Sequence, residues 1–357
     1  MSFNVESIGY LEPKVRWMTM LRTLAFFVLL LNFAVFTEGA DLTFLDREVF
    51  QARDTLDIRE ESSADARACL DGLRWKASEF DVRCAAPLQS KGDALVSFPS
   101  PVVSGDSRND RVTMEWYLAR DAANRAATRP AVVVVHESGS KMVAGRVFAR
   151  GFQSCGLHAF LIHLPYYGQR RGEHQAADRR RVVEAMRQAV ADVRRARDAV
   201  AALPYVEQDK VSLQGTSLGG FVSATSAGLD SGHDHCGYDK VIILLAGGNL
   251  MDVIQSGKRD AARFRAQLEH AGLSLAEIQT QLEQVEPLRV AHRLNPEKTW
   301  LYSADYDQVV DIKNALELAD GIGLSLNHHI RMIADHYSGI VYLPFVLPQM
   351  AQHIRAD

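Results

Sequence analysis

Residues 211–220 have the sequence VSLQGTSLGG, and this stretch decides the fold. It begins as an apolar strand, passes through a turn that matches G-x-S-x-G around Ser217, and leads into a helical pattern over 221–229. A strand, a glycine-rich turn and a helix in this order form a nucleophile elbow, whose strained turn exposes the serine hydroxyl at a sheet edge. The helix N-terminus beneath it favours developing negative charge. We therefore predict Ser217 as a nucleophile; a simple glycine turn is the alternative.

The surrounding sequence alternates between predicted strands and helices. Unbroken apolar runs such as AVVVV (131–135) and KVIILL (240–245) are typical of strands buried on both faces. Repeated β-α-β units predict an α/β fold, with a mostly parallel eight-stranded sheet and helices on both faces. The predicted strands are 94–98, 111–119, 131–135, 158–163, 210–213, 240–245, 299–303 and 328–333, and the main helices are 142–154, 178–203, 221–229, 309–319 and 339–354.

The N-terminal 40 residues have the layout of an export signal. Lys14, Arg16 and Arg22 precede an apolar run over 24–36, which is short for a bilayer-spanning helix of roughly 20 residues. We predict a signal peptide over 1–40 and an exported protein, periplasmic or secreted; an uncleaved membrane anchor is the alternative. Residues 41–93 are predicted to form an N-terminal extension, and residues 94–357 the main domain.

A segment of about fifty residues interrupts the alternation between the strands at 240–245 and 299–303. It contains two helical patterns, and the second begins with the capping-box spacing of Ser274 and Glu277. Ligands of open α/β sheets bind beyond the carboxyl ends of strands, and the segment follows such an end. We predict a small helical lid over 249–296; an ordinary crossover with an extra helix is the alternative.

Four cysteines are present among the 357 residues: Cys69, Cys84, Cys155 and Cys236. In an exported protein they could form two disulfides, and Cys69 with Cys84 is the predicted pair because it would close a short loop in a weakly structured segment. Cys155 is alternatively a buried helix residue.

Charge and ligand spacing exclude two classes of partner. The formal net charge is -4, so no large positive field favours nucleic acid. The run His233-Asp234-His235-Cys236 resembles a metal cluster, but four adjacent residues cannot readily share one tetrahedral ion. We predict no metal and no cofactor.

A serine nucleophile needs a base and an acid. In folds that contain a nucleophile elbow, the acid and then the histidine follow the serine along the chain. Asp307 lies in the loop after the strand at 299–303, with Asp305 as the reserve candidate; either could instead cap the next helix. His336 follows the last strand. The predicted roles are Ser217 as nucleophile, His336 as general base and acid, and Asp307 as its orienting carboxylate.

Two backbone N–H groups are predicted to form an oxyanion hole. One belongs to Leu218, directly after the nucleophile, and the other to Ser138 in the loop HESGS (136–140), where His136 braces the loop. The loop PYYGQRR (165–171) follows another strand and borders the predicted cleft. Tyr166 and Tyr167 could contact substrate there, or pack beneath the loop.

Several of these segments resemble the α/β-hydrolase superfamily, in the branch of dienelactone-hydrolase-like, acetyl-xylan-esterase-like and prolyl-oligopeptidase-like domains. The resemblance spans about residues 94–355 and rests on AVVVVHESGS, HAFLIHLPYYGQRR, VSLQGTSLGG, the block leading to SADYDQVV, and ADHYSG. It implies a Ser-Asp-His triad at Ser217, Asp307 and His336. The chain departs from the branch at Glu137, where many members have glycine; this carboxylate could orient the loop or bias substrate charge.

The leading hypothesis is a serine hydrolase that cleaves a carboxylic ester, of a small molecule or a glycan, through an acyl-enzyme. A peptidase or amidase using the same residues, a catalytically silent binding protein and a membrane-tethered interaction protein are the alternatives. The presence of all three triad residues argues against a silent protein. The sequence specifies neither the acyl group nor the oligomeric state.

Overall fold

A ten-stranded mixed sheet forms the centre of the computed structural model, which describes residues 47–57, 60–87, 89, 91–172, 182–230, 237–270 and 272–356. All of these residues belong to one compact unit. The strands are β1 Val49–Arg53, β2 Glu79–Ala85, β3 Ala94–Pro99, β4 Arg111–Tyr117, β5 Arg129–Val135, β6 His158–Ile162, β7 Val206–Thr216, β8 Val241–Leu244, β9 Thr299–Ala304 and β10 His329–Met332.

The strands follow the order β1-β2-β3-β4-β6-β5-β7-β8-β9-β10. From β6 to β10 all neighbours are parallel, and β1 to β4 form an antiparallel edge that joins β6. The predicted α/β class and mostly parallel sheet are confirmed, but the sheet has ten strands and not eight. The two additional strands, β1 and β2, come from the predicted N-terminal extension.

Helices cover both faces of this sheet, as predicted. Val132 and Val134 of β5 face one apolar core, and Val133 and Val135 face the other, because successive side chains of a strand point to opposite faces. The helices are α1 Ala64–Asp71, α2 Val143–Ser154, α3 Val182–Ala201, α4 Leu218–Ala227, α5 Leu250–Ser256, α6 Asp260–His270, α7 Leu275–Leu282, α8 Pro287–Val290, α9 Ile312–Ile322 and α10 Leu343–Arg355. Helices α2 and α10 pack on one face, and α3, α4 and α9 on the other.

The segment between β8 and β9 holds four helices, α5 to α8, where the sequence predicted two. The capping box at Ser274 and Glu277 is present and begins α7. Two of the four, α5 and α8, have only seven and four residues. Helices this short show little periodicity in the sequence, because two turns or fewer carry few repeats of an apolar face.

The predicted disulfide between Cys69 and Cys84 is wrong, because both thiols are free and buried. Cys69 lies on the buried face of α1 and donates to the carbonyl oxygen of Gln284, while Cys84 is a core residue of β2. Burial raises the pKa of each thiol to about 12. Cys155 is also free and stands half-buried at the C-terminus of α2.

Three sequence predictions fall on residues that the structure does not describe. They are the signal segment over 1–40, Cys236 as a disulfide partner, and the run 233–236, and they stay predictions. Within the described ranges no helix is both long and apolar enough to cross a membrane.

Candidate active site

Ser217 stands at a strained turn between β7 and α4. Its backbone has φ 54° and ψ -116°, a conformation that is costly for a residue with a side chain. The turn is tight because α4 begins against β5: a Cβ at Gly219 would lie 2.2 Å from the carbonyl oxygen of Val135. The N–H of Ser217 donates to the carbonyl oxygen of Leu244 in β8, at 2.9 Å. The motif therefore has the geometry of a nucleophile elbow.

Three side chains that are distant in the chain form one hydrogen-bonded row. Ser217 Oγ lies 3.0 Å from His336 Nε2, and His336 Nδ1 lies 2.6 Å from Asp307 Oδ2. The other oxygen of Asp307 accepts the N–H groups of Val309 and Val310 at 2.8 and 3.0 Å, which fixes the carboxylate. They meet because β7, β9 and β10 run parallel, so the loops that follow them lie at one edge of the sheet.

The reserve acid and three histidines on the C-terminal side of Ser217 have partners outside this row. Asp305, the reserve candidate, accepts from Arg331 Nε at 2.7 Å. Of the histidines, His292 pairs with Glu61, His328 stacks on Trp300, and His329 hydrogen-bonds Ser303. The structure therefore brings Asp307 and His336 to Ser217, and leaves the alternatives away from it.

The loop after β5 borders Ser217 from the other side. Leu218 is the first residue of α4, so its N–H has no acceptor within the helix. Ser138 lines the same cavity as Ser217 and is exposed. Its carbonyl oxygen accepts the hydroxyl of Tyr167 at 3.0 Å, which ties the loop to the segment after β6.

Glu137 and His136 hold this loop in place. The two oxygens of Glu137 accept the N–H groups of Ala144 and Gly145, each at 3.1 Å, so the carboxylate caps the N-terminus of α2. His136 Nε2 accepts the N–H of Leu164, and Nδ1 donates to the carbonyl oxygen of Glu137 at 2.6 Å. Burial lowers the pKa of His136 to about 3, so the ring is neutral at pH 7.

The two tyrosines after β6 have different positions. The half-buried Tyr167 packs on the ring of His136, with centroids 4.6 Å apart, and braces the loop as described. Tyr166 lines a separate depression with Glu184 and Gln188, so the structure does not bring it to Ser217. Of the two tyrosines, only Tyr167 is connected to the site, through its hydrogen bond to Ser138.

A cavity of about 490 Å³ opens over Ser217 and His336. The loop residues Glu137 and Ser138 form part of its wall, and Asp260 and Arg263 reach it from α6 of the insertion. Apolar side chains form most of the remainder, among them Phe148, Leu245, Met332, Leu343 and Val346. The predicted nucleophile thus faces a partly open, mostly apolar cavity, which is the usual setting of a small-molecule site.

Comparisons with known proteins establish the fold. No protein-family profile and no curated protein matches this sequence. Among solved structures, the acetyl xylan esterase from Paenibacillus sp. R4 has a TM-score of 0.56 at 14% identity, covering 84% of this chain and 95% of that esterase. Acetyl xylan esterase 1 from Thermoanaerobacterium sp. JW/SL YS485 has a TM-score of 0.54 at 15% identity, covering 88% and 99%. The chain has the α/β-hydrolase fold.

A third structural match is a puromycin-hydrolyzing peptidase from Mycobacterium tuberculosis. Its TM-score is 0.51 at 14% identity, over 78% of this chain and 46% of the peptidase. The fold expected from the sequence motifs is thereby confirmed. Esterases and a peptidase share it, so the chemistry has to be argued from the site itself.

Several residues of the cavity could not be predicted from the sequence. Tyr337 follows His336 directly, and its hydroxyl donates to Asp260 of α6 at 2.8 Å. Arg263 pairs with the same carboxylate at 2.9 Å. The only sequence signal for these α6 residues was the position of the insertion after a strand's carboxyl end. The apolar wall from α10 had no sequence signal beyond that of an ordinary core-facing helix.

Proposed function

We propose that the protein is a serine hydrolase that cleaves a carboxylic ester through an acyl-enzyme intermediate. The observation that carries the proposal is the row Ser217–His336–Asp307, with distances of 3.0 and 2.6 Å, beside a mostly apolar cavity that Ser217 and His336 line. A serine hydroxyl is a poor nucleophile until a base accepts its proton, and His336 Nε2 is placed to do so. Asp307 orients the ring and stabilises the imidazolium that forms.

In the first half of the reaction, Ser217 Oγ bonds to the carbonyl carbon while its proton passes to His336 Nε2. The carbonyl electron pair moves to the oxygen and gives a tetrahedral oxyanion. Its collapse breaks the bond to the alcohol oxygen, which takes the proton from His336. In the second half, water gives a proton to His336 and adds to the acyl carbon, which forms a second tetrahedral oxyanion. Its collapse breaks the bond to Ser217 Oγ, which takes the proton back from His336, and the carboxylic acid leaves.

The oxyanion would be stabilised by the N–H groups of Leu218 and Ser138. The first is supported by its place at the start of α4, where the N–H is unused and the helix dipole favours negative charge. The second is supported by the loop around Ser138, which Glu137 and Tyr167 hold beside the cavity. Removing one such donor typically lowers kcat by about 10²- to 10³-fold.

Labelling with a fluorophosphonate probe tests this proposal. The probe phosphorus bonds to an activated serine oxygen and releases fluoride, so we expect labelling of the wild type and none of Ser217→Ala. The matched control is Ser154→Ala, which removes an exposed hydroxyl on α2 and should label normally. Labelling that persists in Ser217→Ala would identify another nucleophile, and an unlabelled wild type would favour a silent binding protein.

Paired substrates separate the esterase from the peptidase or amidase alternative. We expect turnover of p-nitrophenyl acetate or a longer p-nitrophenyl ester to exceed that of the corresponding p-nitroanilide. Both substrates use the same acyl group, so the comparison isolates the leaving group. Faster release of nitroaniline would assign the site to amide hydrolysis.

A further inference from the structure

We infer that the acyl group of the substrate is an uncharged apolar chain longer than acetyl, and that the cavity beside Ser217 is its binding pocket. This inference rests on the proposed function and adds a substrate class to it.

Several different helices and strands contribute apolar side chains to the cavity wall around Ser217. Leu245 follows β8, Met332 ends β10, Phe148 comes from α2, and Leu343 and Val346 come from α10. These residues come from different elements and meet in the cavity next to Ser217 and His336. An apolar ligand that replaces water in this space of about 490 Å³ binds favourably, because its surface and that of the wall are removed from water.

The charged groups of the wall already have partners within the protein. Glu137 accepts the two N–H groups at the start of α2. Asp260 accepts from Tyr337 at 2.8 Å and pairs with Arg263 at 2.9 Å. A charged acyl group would have to compete with these contacts, whereas a neutral chain would not. The wall therefore favours an uncharged acyl group.

Part of the cavity wall comes from two helices that pack directly on each other. Helices α2 and α10 lie so close that a Cβ at Gly151 would come within 2.2 Å of Leu347 Cδ1. Leu245 is held at φ 53°, a left-handed conformation that a leucine rarely adopts. A space of about 490 Å³ is much larger than an acetyl group needs, so a longer acyl chain displaces more water from the apolar wall.

A series of p-nitrophenyl esters tests the inference, from acetate through butyrate and hexanoate to octanoate. Each methylene that enters an apolar pocket should raise kcat/KM about fourfold. For the wild type we expect kcat/KM to rise from acetate through butyrate to hexanoate. The readout is the ratio of kcat/KM for hexanoate to that for acetate.

Two variants narrow the pocket, and a third controls for the added indole. Leu343→Trp and Ile340→Trp should each lower the hexanoate-to-acetate ratio at least tenfold. Ile340 also lines the cavity but is 54% exposed, so its variant should fold even if the half-buried Leu343 site does not accept tryptophan. Phe345→Trp adds the same ring at a position of α10 that is 75% exposed and outside the wall, and should keep the ratio within twofold.

The possible outcomes separate this inference from the proposed function. A wild-type preference for acetate, or ratios that neither tryptophan variant lowers, would overturn the apolar acyl pocket while leaving the esterase intact. Absence of both ester hydrolysis and fluorophosphonate labelling would overturn the esterase and the pocket together. The assignment would be supported if the wild-type kcat/KM rises with chain length, both narrowing variants lower the hexanoate-to-acetate ratio, and Phe345→Trp leaves this ratio unchanged.

Discussion

At the scale of single residues, two aspartates only two positions apart have different surroundings. Asp307 is buried and lies 2.6 Å from His336 Nδ1, whereas Asp305 pairs with Arg331 at the surface. Asp307→Asn should lower kcat by about 10³- to 10⁴-fold, because an amide cannot stabilise the imidazolium or keep the required tautomer. Steady-state hydrolysis of a p-nitrophenyl ester measures the effect.

Asp305→Asn is the matched control for that substitution. It removes the same charge from the same loop, but the ion pair with Arg331 is partly exposed and contributes at most about 1 kcal/mol. We expect kcat within threefold of the wild type. A larger loss at Asp305 than at Asp307 would exchange their roles.

Ser217, Asp307 and His336 could be brought together from the sequence because each follows a strand that the alternation of strands and helices predicts. Parallel strands end at one edge, so position along the chain translates into position in space. The cap that Glu137 forms could not be predicted in this way. It depends on Met142, which adopts a left-handed conformation at the start of α2 and turns the Ala144 and Gly145 N–H groups toward the carboxylate.

At the scale of elements, Glu137 connects the stability of α2 to the site. Met142, at the N-cap of this helix, offers no side-chain hydrogen bond, so Glu137 alone supplies a carboxylate to the N–H groups of Ala144 and Gly145. Glu137→Gln should lower the free energy of unfolding by about 1 to 2 kcal/mol, since the amide offers one acceptor and no charge. We also expect kcat to fall at least threefold, because the same loop carries Ser138.

Urea unfolding and ester hydrolysis, measured on the same preparations, test both effects of Glu137→Gln. Glu269→Gln on α6 is the control, because this glutamate is exposed and should change the unfolding free energy by less than about 0.5 kcal/mol. If Glu137→Gln leaves the free energy of unfolding unchanged, Glu137 does not stabilise α2 as a cap. If the free energy of unfolding falls but kcat is unchanged, the cap stabilises α2 without positioning the loop that carries Ser138.

The elements that the sequence missed are those stabilised mainly by their neighbours. In β2, Phe80, Val82 and Cys84 alternate with exposed charged residues, a period-two pattern too short to stand out among the charges of residues 41–93. The strand forms because β3 offers it an antiparallel edge. The predicted Cys69–Cys84 bridge failed for the same reason: this segment has its own strand and helix, and needs no covalent closure.

At the scale of the whole molecule, buried neutral histidines couple folding to pH. His136 is fully buried with a pKa lowered to about 3 by burial, and burial lowers the pKa of His158 to about 4. Unfolding returns each ring to its ordinary pKa of 6.5, so between about pH 6.5 and pH 4 the unfolded chain binds protons that the folded chain does not. Stability from these residues is therefore complete above pH 6.5 and is lost as the pH falls.

We expect the free energy of unfolding to fall by about 2 kcal/mol per histidine between pH 7 and pH 5, or about 4 kcal/mol for the pair. Glu115 does not contribute in this range: burial would raise its pKa, but hydrogen bonds from His163 and Arg146 outweigh burial and lower it to about 2, so its stabilisation is lost only below its ordinary value of 4.5. Urea unfolding at pH 8, 7, 6 and 5 gives the slope, and hence the number of protons taken up.

His158→Gln distinguishes this cause from a general loss of stability in acid. Both ring nitrogens of His158 are in use, since Nδ1 accepts from Trp116 and Ala119 while Nε2 donates to the carbonyl oxygens of Ala127 and Tyr205. A glutamine cannot take up a proton, so the variant should be less stable at every pH and yet lose about one proton from the slope between pH 6 and pH 5. His270→Gln, at an exposed site on α6, should leave the slope unchanged. A wild-type curve that is flat from pH 7 to pH 5, or a slope that His158→Gln leaves unreduced, would show that these histidines do not cause the pH dependence of the stability.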